Sequence, residues 1–353
     1  MKDNTTKNRT LLVVGSSIAV LFASRYAYKM YLHFYRKKYL DHLNFMNKIL
    51  RAINEKNQPD NHSIVHLKIT RSQDITIENR DKQQHSLLIC QSAKLEEKQK
   101  MPKLNKNNCF LPPFEPGIYL ADLGKTHRLL MNKYMLVDRH VLVITKIFEA
   151  QFIELSEADL GYSYAIASIL DGFVFYNSGK RAGASQKHKH LQVVPYSALN
   201  YFYLNKVKET VQASDKHTIK DVNGISFLEF PYYDKYKYVL MKFKPIDKNT
   251  QDIEEYAVEL KKVYKKGIQE LNNEKANQSY NLMYGMDWML IVPRKSEKFL
   301  NRVSLNAFGC LGSVLVKSDE EFKLCIDKTP EDILDEILVS KNDTNEYYSC
   351  LDY

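Results

Sequence analysis

Residues 176–192 of this chain read Tyr-Asn-Ser-Gly-Lys-Arg-Ala-Gly-Ala-Ser-Gln-Lys-His-Lys-His-Leu-Gln, a small-residue loop that runs into an alternating polar segment. The segment from His188 to Val194 predicts a strand. Successive strand side chains face opposite sides, so His188, His190 and Gln192 fall on one face and Lys189, Leu191 and Val193 on the other. The loop before it holds Ser178, Gly179, Ala182, Gly183, Ala184 and Ser185, which leave backbone N–H groups and hydroxyls open to close approach by a phosphate. Three nitrogen-bearing side chains beside such a loop predict phosphorus chemistry at a histidine. Neutral imidazole attacks phosphorus and holds the product as a phosphoramidate, and it titrates near neutral pH.

Two plainer readings use the same residues. A His-x-His pair on a strand is also a metal-ligand spacing, but a zinc site needs a third protein ligand. Only His217 follows in sequence, and none of Cys90, Cys109, Cys310, Cys325 and Cys350 forms a Cys-x-x-Cys pair. No metal and no cofactor is expected. The other reading is a polar strand with no catalytic role. Lys180, Arg181, Lys187 and Lys189 supply either positive potential for a polyphosphate or exposed solubilising charge.

The run Asn177-Ser178-Gly179 to Gly183-Ala184-Ser185-Gln186, closing on His188-Lys189-His190-Leu191-Gln192, resembles the signature of the diadenosine tetraphosphate phosphorylases. These enzymes, also called ATP adenylyltransferases, are a branch of the histidine triad superfamily in which glutamine replaces the last histidine, as at Gln192. Two more segments resemble the same family. One runs from Asn108 through Phe110-Leu111-Pro112-Pro113-Phe114-Glu115-Pro116, Thr126-His127 and Asn132-Lys133-Tyr134 to His140-Val141-Leu142-Val143-Ile144-Thr145-Lys146 and Gln151. The other comprises Tyr280-Asn281-Leu282, Trp288 to Arg294, Ser304-Leu305-Asn306 and Gly309-Cys310-Leu311-Gly312-Ser313, similar to the branch's C-terminal domain. The chain departs from the pattern at Cys109, Gly285 and Cys310-Leu311.

The resemblance implies a mechanism. His190 would attack the α-phosphorus of diadenosine tetraphosphate, expel ATP and carry an adenylyl group that inorganic phosphate takes to give ADP. His188 would orient the site, and Gln186 and Gln192 would bind the transferred phosphoryl group. Asn177, Ser178, Gly179, Gly183 and Ser185 would hold developing negative charge with preorganised donors, and Asn132 and Lys133 would contact nucleotide. Glutamine is neither acid nor base at neutral pH, which suits a transferase that does not activate water. The ring of His190 is expected to face an opening. A galactose-1-phosphate uridylyltransferase shares the His-x-His-x-Gln pattern, but the C-terminal segments fit it poorly.

A net charge of +9 suits polyphosphate ligands, anionic lipid or an acidic partner; no nucleic acid is expected. From Thr10 to Ser24 the chain carries no charge and lies between Arg9 and Arg25. A spanning helix needs about 20 apolar residues. The aromatic run after Arg25 extends the segment, predicting a single tilted membrane helix over residues 10–32 that contacts lipid. A cleaved signal peptide lacks its Ala-x-Ala site here, and a mitochondrial presequence would be Arg-rich and amphipathic. Arg25, Lys29, Arg36, Lys37 and Lys38 follow the span, which places the body on the cytoplasmic or matrix side.

Leu40, Leu43, Met46, Leu50 and Ile53 recur at helical spacing, as do Ile253, Tyr256, Ala257, Leu260, Val263, Tyr264, Ile268 and Leu271. Tyr280 to Leu282 and Met289 to Val292 read as strands, and Thr329-Pro330-Glu331-Asp332 as a helix start. The expected architecture is α+β: a membrane anchor (1–38), a histidine triad-like antiparallel sheet with helices (39–200) and a C-terminal ATP adenylyltransferase-like domain (201–353). The expected ligands are diadenosine polyphosphate, ATP, ADP and phosphate. The alternative function is a recruited accessory subunit bound to other subunits of a membrane complex, most plausibly in the mitochondrial inner membrane.

Overall fold

The structure, a computed structural model, describes residues 44–58, 65–66, 69–78, 82–92, 108–135, 137–245, 253–271 and 279–343. The chain forms two compact units, residues 1–48 with 248–251 and residues 49–247 with 252–353. Of the first, residues 44–48 are described and are helical. The expected membrane helix at 10–32 lies outside the described residues. Among the described residues no helix is long and apolar enough to cross a membrane.

The second unit is organised on a ten-stranded antiparallel sheet. Its strands are β3 (Tyr119–Leu123), β4 (His127–Met131), β5 (Val141–Thr145), β6 (Gly172–Ser178), β7 (His190–Pro195), β8 (Thr218–Val222), β9 (Ile225–Leu228), β10 (Val239–Phe243), β11 (Tyr280–Tyr284) and β12 (Trp288–Pro293). Their order is β8-β9-β10-β12-β11-β6-β7-β5-β4-β3. Five strands come from each side of the boundary expected at residue 200, so the two segments named there meet in one sheet through β6 and β11. A three-stranded sheet joins β1 (Arg71–Glu78), β2 (Gln84–Gln91) and the C-terminal β13 (Ser313–Val316) in the order β13-β2-β1.

Cross-strand partners share a face of a sheet. The register therefore places Phe175, Gln192, Leu142 and Leu130 on one side, with His190, Ile144 and Arg128 in the next row of that side. Val174, Val193, Val141 and Met131 take the other side. Helix α1 (Glu157–Leu170) covers that second side. Ser156 caps it by accepting from the Asp159 amide, and the Asp159 carboxylate accepts from the Ser156 amide in return. Beside it lies α3 (Ile253–Glu270), whose Tyr256, Ala257, Leu260, Val263 and Tyr264 are buried. Its expected apolar stripe is thus a packing face. At Gly267 an added Cβ would lie 2.6 Å from both Ile291 Cδ1 and Met241 Cε, so these side-chain ends would have to shift for any larger residue.

Over the first side, α2 (Phe202–Gln212), α4 (Ala307–Leu311), α5 (Asp319–Ile326) and α6 (Pro330–Ile337) pack with the three-stranded sheet. Val207, Phe308, Phe322, Ile333 and Leu87 from these elements close on Phe173, Phe175, Met283 and Leu290. Each such side chain contributes about 1.5–3 kcal/mol by leaving water. Thr329 caps α6 with Pro330 in its first turn, as expected. This cover protects the β6, β11 and β12 end of the face, and segment 108–114 takes over beside β7. The candidate site lies where one cover gives way to the other.

Candidate active site

His188 precedes the regular part of β7 and makes one bridge, to Ala150. Its ring is fixed at both nitrogens. Nε2 lies 2.9 Å from the Thr145 carbonyl oxygen, which can only accept, so Nε2 carries the proton. Nδ1 then accepts from Asn108 Nδ2 at 2.9 Å, and Asn108 is held in that orientation because its Oδ1 accepts from the Phe110 amide. The Thr145 hydroxyl lies 2.9 Å from the same Nε2 and donates to the Ile147 carbonyl.

His190 is oriented by the backbone of His188. Its Nδ1 lies 2.8 Å from the His188 carbonyl oxygen, which requires the proton on Nδ1 and leaves the lone pair on Nε2. Nε2 has no hydrogen-bond partner among the described residues. The ring is not open as expected: the residue is 4% exposed and lies 5.1 Å, centroid to centroid, from the ring of Phe110, which also meets His188 at 5.8 Å. Among the described residues, the fully covered side-chain polar atoms without a hydrogen bond are Ser92 Oγ and Ser279 Oγ. Burial also lowers the pKa of His190 to about 4, so at neutral pH the ring is uncharged and Nε2 is nucleophilic. His188 is lowered from 6.5 for the same reason.

The third member, Gln192, shares this face and is half-buried. Its Oε1 is 3.0 Å from His140 Nε2, and Asn132 Nδ2 is 3.0 Å from His140 Nδ1. Asn132 therefore meets His140. Lys133 pairs with both oxygens of Glu115 at 2.8 and 2.7 Å. Gln151, fully buried, completes the frame beyond the end of the β6–β7 ladder. Its Oε1 accepts from the His190 amide at 2.8 Å, and its Nε2 donates to the carbonyls of Asn177 and His190 at 3.0 and 3.2 Å.

The remaining expected site residues have contacts of their own. Asn177 is buried, and its Oδ1 accepts from Asn281 Nδ2 and the Ala307 amide, so its side chain joins β6 to β11 and α4. Ser178 pairs with Tyr280, whose hydroxyl meets that of Tyr264 on α3; this is the helix-covered side, away from His190. Gly179 and Gly183 flank a single turn with φ of +81° and +84°. An added Cβ at Gly183 would sit 2.4 Å from the Leu305 carbonyl oxygen, so this glycine serves chain packing. Ser185 is exposed and Gln186 half-buried, and neither side chain is hydrogen-bonded among the described residues.

Lys189 faces away from the histidines and is 1% exposed. Its Nζ lies 2.6 Å from Glu149 Oε2 and 3.2 Å from Asp159 Oδ2. Burial alone would raise the Asp159 pKa, but hydrogen bonding to His127 at 2.9 Å and the charges of Lys189 and His127 leave it lowered. Lys189 is thus neither a solubilising charge nor a site cation. Arg128 belongs to none of the sequence motifs. It lies on the histidine side, two strands from His190 in the same row, about 10 Å away by strand spacing. Phe110, Asn108, His140, Thr145 and Gln151 appear in the sequence only as parts of the upstream resemblance, without individual roles.

A neutral imidazole held by its own backbone, with a bare Nε2 and an amide side chain on the same face, is the arrangement of a histidine nucleophile for group transfer. Residues 66–207 match the Ap4A phosphorylase N-terminal domain, and residues 234–340 match the ATP adenylyltransferase C-terminal domain. The chain belongs to the diadenosine tetraphosphate (Ap4A) phosphorylase / ATP adenylyltransferase family.

Two proteins of Saccharomyces cerevisiae are similar in sequence. Protein APA1 is 28% identical over 235 residues, covering 61% of this chain and 68% of its own length. Diadenosine 5',5'''-P1,P4-tetraphosphate phosphorylase 2 is 27% identical over 253 residues, covering 63% and 74%. The crystal structure of yeast Ap4A phosphorylase Apa2 in complex with Ap4A superposes with a TM-score of 0.62 at 21% identity, over 83% of this chain and 97% of that one. The AMP complex gives 0.61 at 20% identity, over 84% and 99%. These likenesses show a shared mixed α+β fold.

Proposed function

We propose that this protein is a nucleotidyltransferase that phosphorolyses diadenosine tetraphosphate to ATP and ADP through an adenylyl-histidine. The observation that carries the reading is the bare Nε2 of a neutral, buried His190 whose Nδ1 proton is engaged by the His188 carbonyl. Nε2 attacks the α-phosphorus, the N–P bond forms, and the bond to the bridging oxygen breaks with its electron pair leaving on ATP. Positive charge that develops on the ring is met by the Nδ1–H to carbonyl hydrogen bond at 2.8 Å. A phosphate oxygen then attacks the same phosphorus, giving ADP and returning the lone pair to Nε2. Gln192 supplies an amide to the phosphoryl oxygens, while His188 acts through position. Loss of phosphorolysis in His190→Ala, with folding retained, is the expected result. Unchanged turnover in that variant contradicts the reading.

The uncharged run from Thr10 to Ser24, with the aromatic residues after Arg25, supports a membrane anchor over residues 10–32, with the body on the cytoplasmic or matrix side. Its test is carbonate extraction of membranes: the chain stays with the pellet if residues 10–32 span the bilayer and enters the supernatant if they do not. The relatives favour an enzyme, and the accessory-subunit alternative finds no support in them.

A further inference from the structure

Gln192 can serve an anionic phosphoryl group only with its NH2 end outward, because its carbonyl end would repel the phosphate oxygens. Electron-rich and donor ends of an amide have nearly the same shape, so something must choose between them. The contact that chooses is made by His140. The Tyr134 amide can only donate, and it lies 3.1 Å from Asn132 Oδ1. This turns Asn132 Nδ2 toward His140, where it can only donate. It lies 3.0 Å from Nδ1 and 3.2 Å from Nε2 of that ring, which places it over the ring face and on neither lone pair. Gln192 Oε1 lies 3.0 Å from His140 Nε2 and can only accept, so Nε2 carries the proton and donates to it. The two N–H donors of Gln192 are then the end left for the site.

We propose that His140 is a positioning residue for nucleotidyl transfer, holding Gln192 with its carbonyl inward and its amide hydrogens toward the phosphoryl group bound at His190. The inference rests on the proposed function for its purpose, though its geometry does not. Asn132 packs its amide against the His140 ring. The relay is anchored at its base, since the Asn132 amide donates to the His140 carbonyl at 2.9 Å and ties the two ends of the turn together. His140 is buried against Phe175, with ring centroids 5.7 Å apart.

The test is a double-mutant cycle read by single-turnover adenylylation of His190 from diadenosine tetraphosphate. His140→Leu is expected to slow adenylylation about 10- to 100-fold, the range for a hydrogen bond to a charged group. In a Gln192→Ala background the same substitution should change the rate less than about 2-fold. A purely structural role would slow both backgrounds equally, and that result overturns the relay. If His140→Leu does not fold, His140→Phe, which keeps the ring against Phe175 and removes the Nε2–H donor, takes its place in the cycle.

A second measurement on the wild-type protein needs no activity. In a ¹⁵N-histidine correlation spectrum His140 should be protonated at Nε2 and bare at Nδ1, and the opposite tautomer overturns the relay. Should wild-type protein fail to turn over diadenosine tetraphosphate, the proposed function falls, and the tautomer still decides the relay.

Discussion

Lys189→Met separates the two faces of the catalytic strand. The residue lies between the two histidines in sequence, yet its ammonium is on the opposite side of the sheet, 3.2 Å from Asp159 Oδ2. Both side chains are 1% exposed. The contact with Glu149 counts for little, because that carboxylate is 44% exposed and screened by water. Removing one partner of a buried pair costs about 3–5 kcal/mol. Asp159 keeps the hydrogen bonds from His127 and from the amide and hydroxyl of Ser156, so the lower end, about 3 kcal/mol, is expected. Methionine retains most of the apolar stem. Urea unfolding should show a lower midpoint at unchanged slope, while phosphorolysis at a temperature where the variant is folded stays within about 3-fold of wild type. A large loss of turnover with no loss of stability would refute the assignment of this lysine to the core.

Gln151→Leu should lower both stability and adenylylation. It leaves the buried amide of His190 and the carbonyl of Asn177 without their partner, at about 1–3 kcal/mol each; urea unfolding and single-turnover kinetics check this. Because burial holds His190 near 4, below the ordinary 6.5, turnover should stay level as pH falls through 6.5 and decline only as the ring protonates near 4. A pH–rate profile with its acid limb at 6.5 contradicts that. Phe110→Ala uncovers the ring and should move the acid limb upward, toward 6.5. Gly183→Ala combines a φ of +84° with a clash against the Leu305 carbonyl oxygen and should cost about 1–3 kcal/mol or more, measured by thermal or urea unfolding.

The parts of the fold that repeat at short range were legible in the sequence. The alternation at 188–193 separates the faces as expected, the stripe of α3 is buried, and Thr329 caps α6. What could not be read depends on partners far along the chain. Asn177 and Gly183 read as parts of a phosphate loop, and the sequence does not show that Asn281, Leu305 and Ala307 pack against them. Lys189 looks like a site cation until α1 brings Asp159 beneath it. The contact of His140 with Gln192 spans 52 residues, and no periodicity in the sequence brings the two together. The burial of His190 under Phe110 is likewise not legible in the sequence, because strand alternation assigns a face but not what covers it.

The central claim is a covalent one, and the direct measurement is the intact mass of the protein after incubation with diadenosine tetraphosphate in the absence of phosphate. One adenylyl group per chain is expected, located on the peptide containing His190, labile to acid, discharged as ADP when phosphate is added, and absent from His190→Ala. Turnover to ATP and ADP without any such adduct, or an adduct that persists in His190→Ala, would contradict the account.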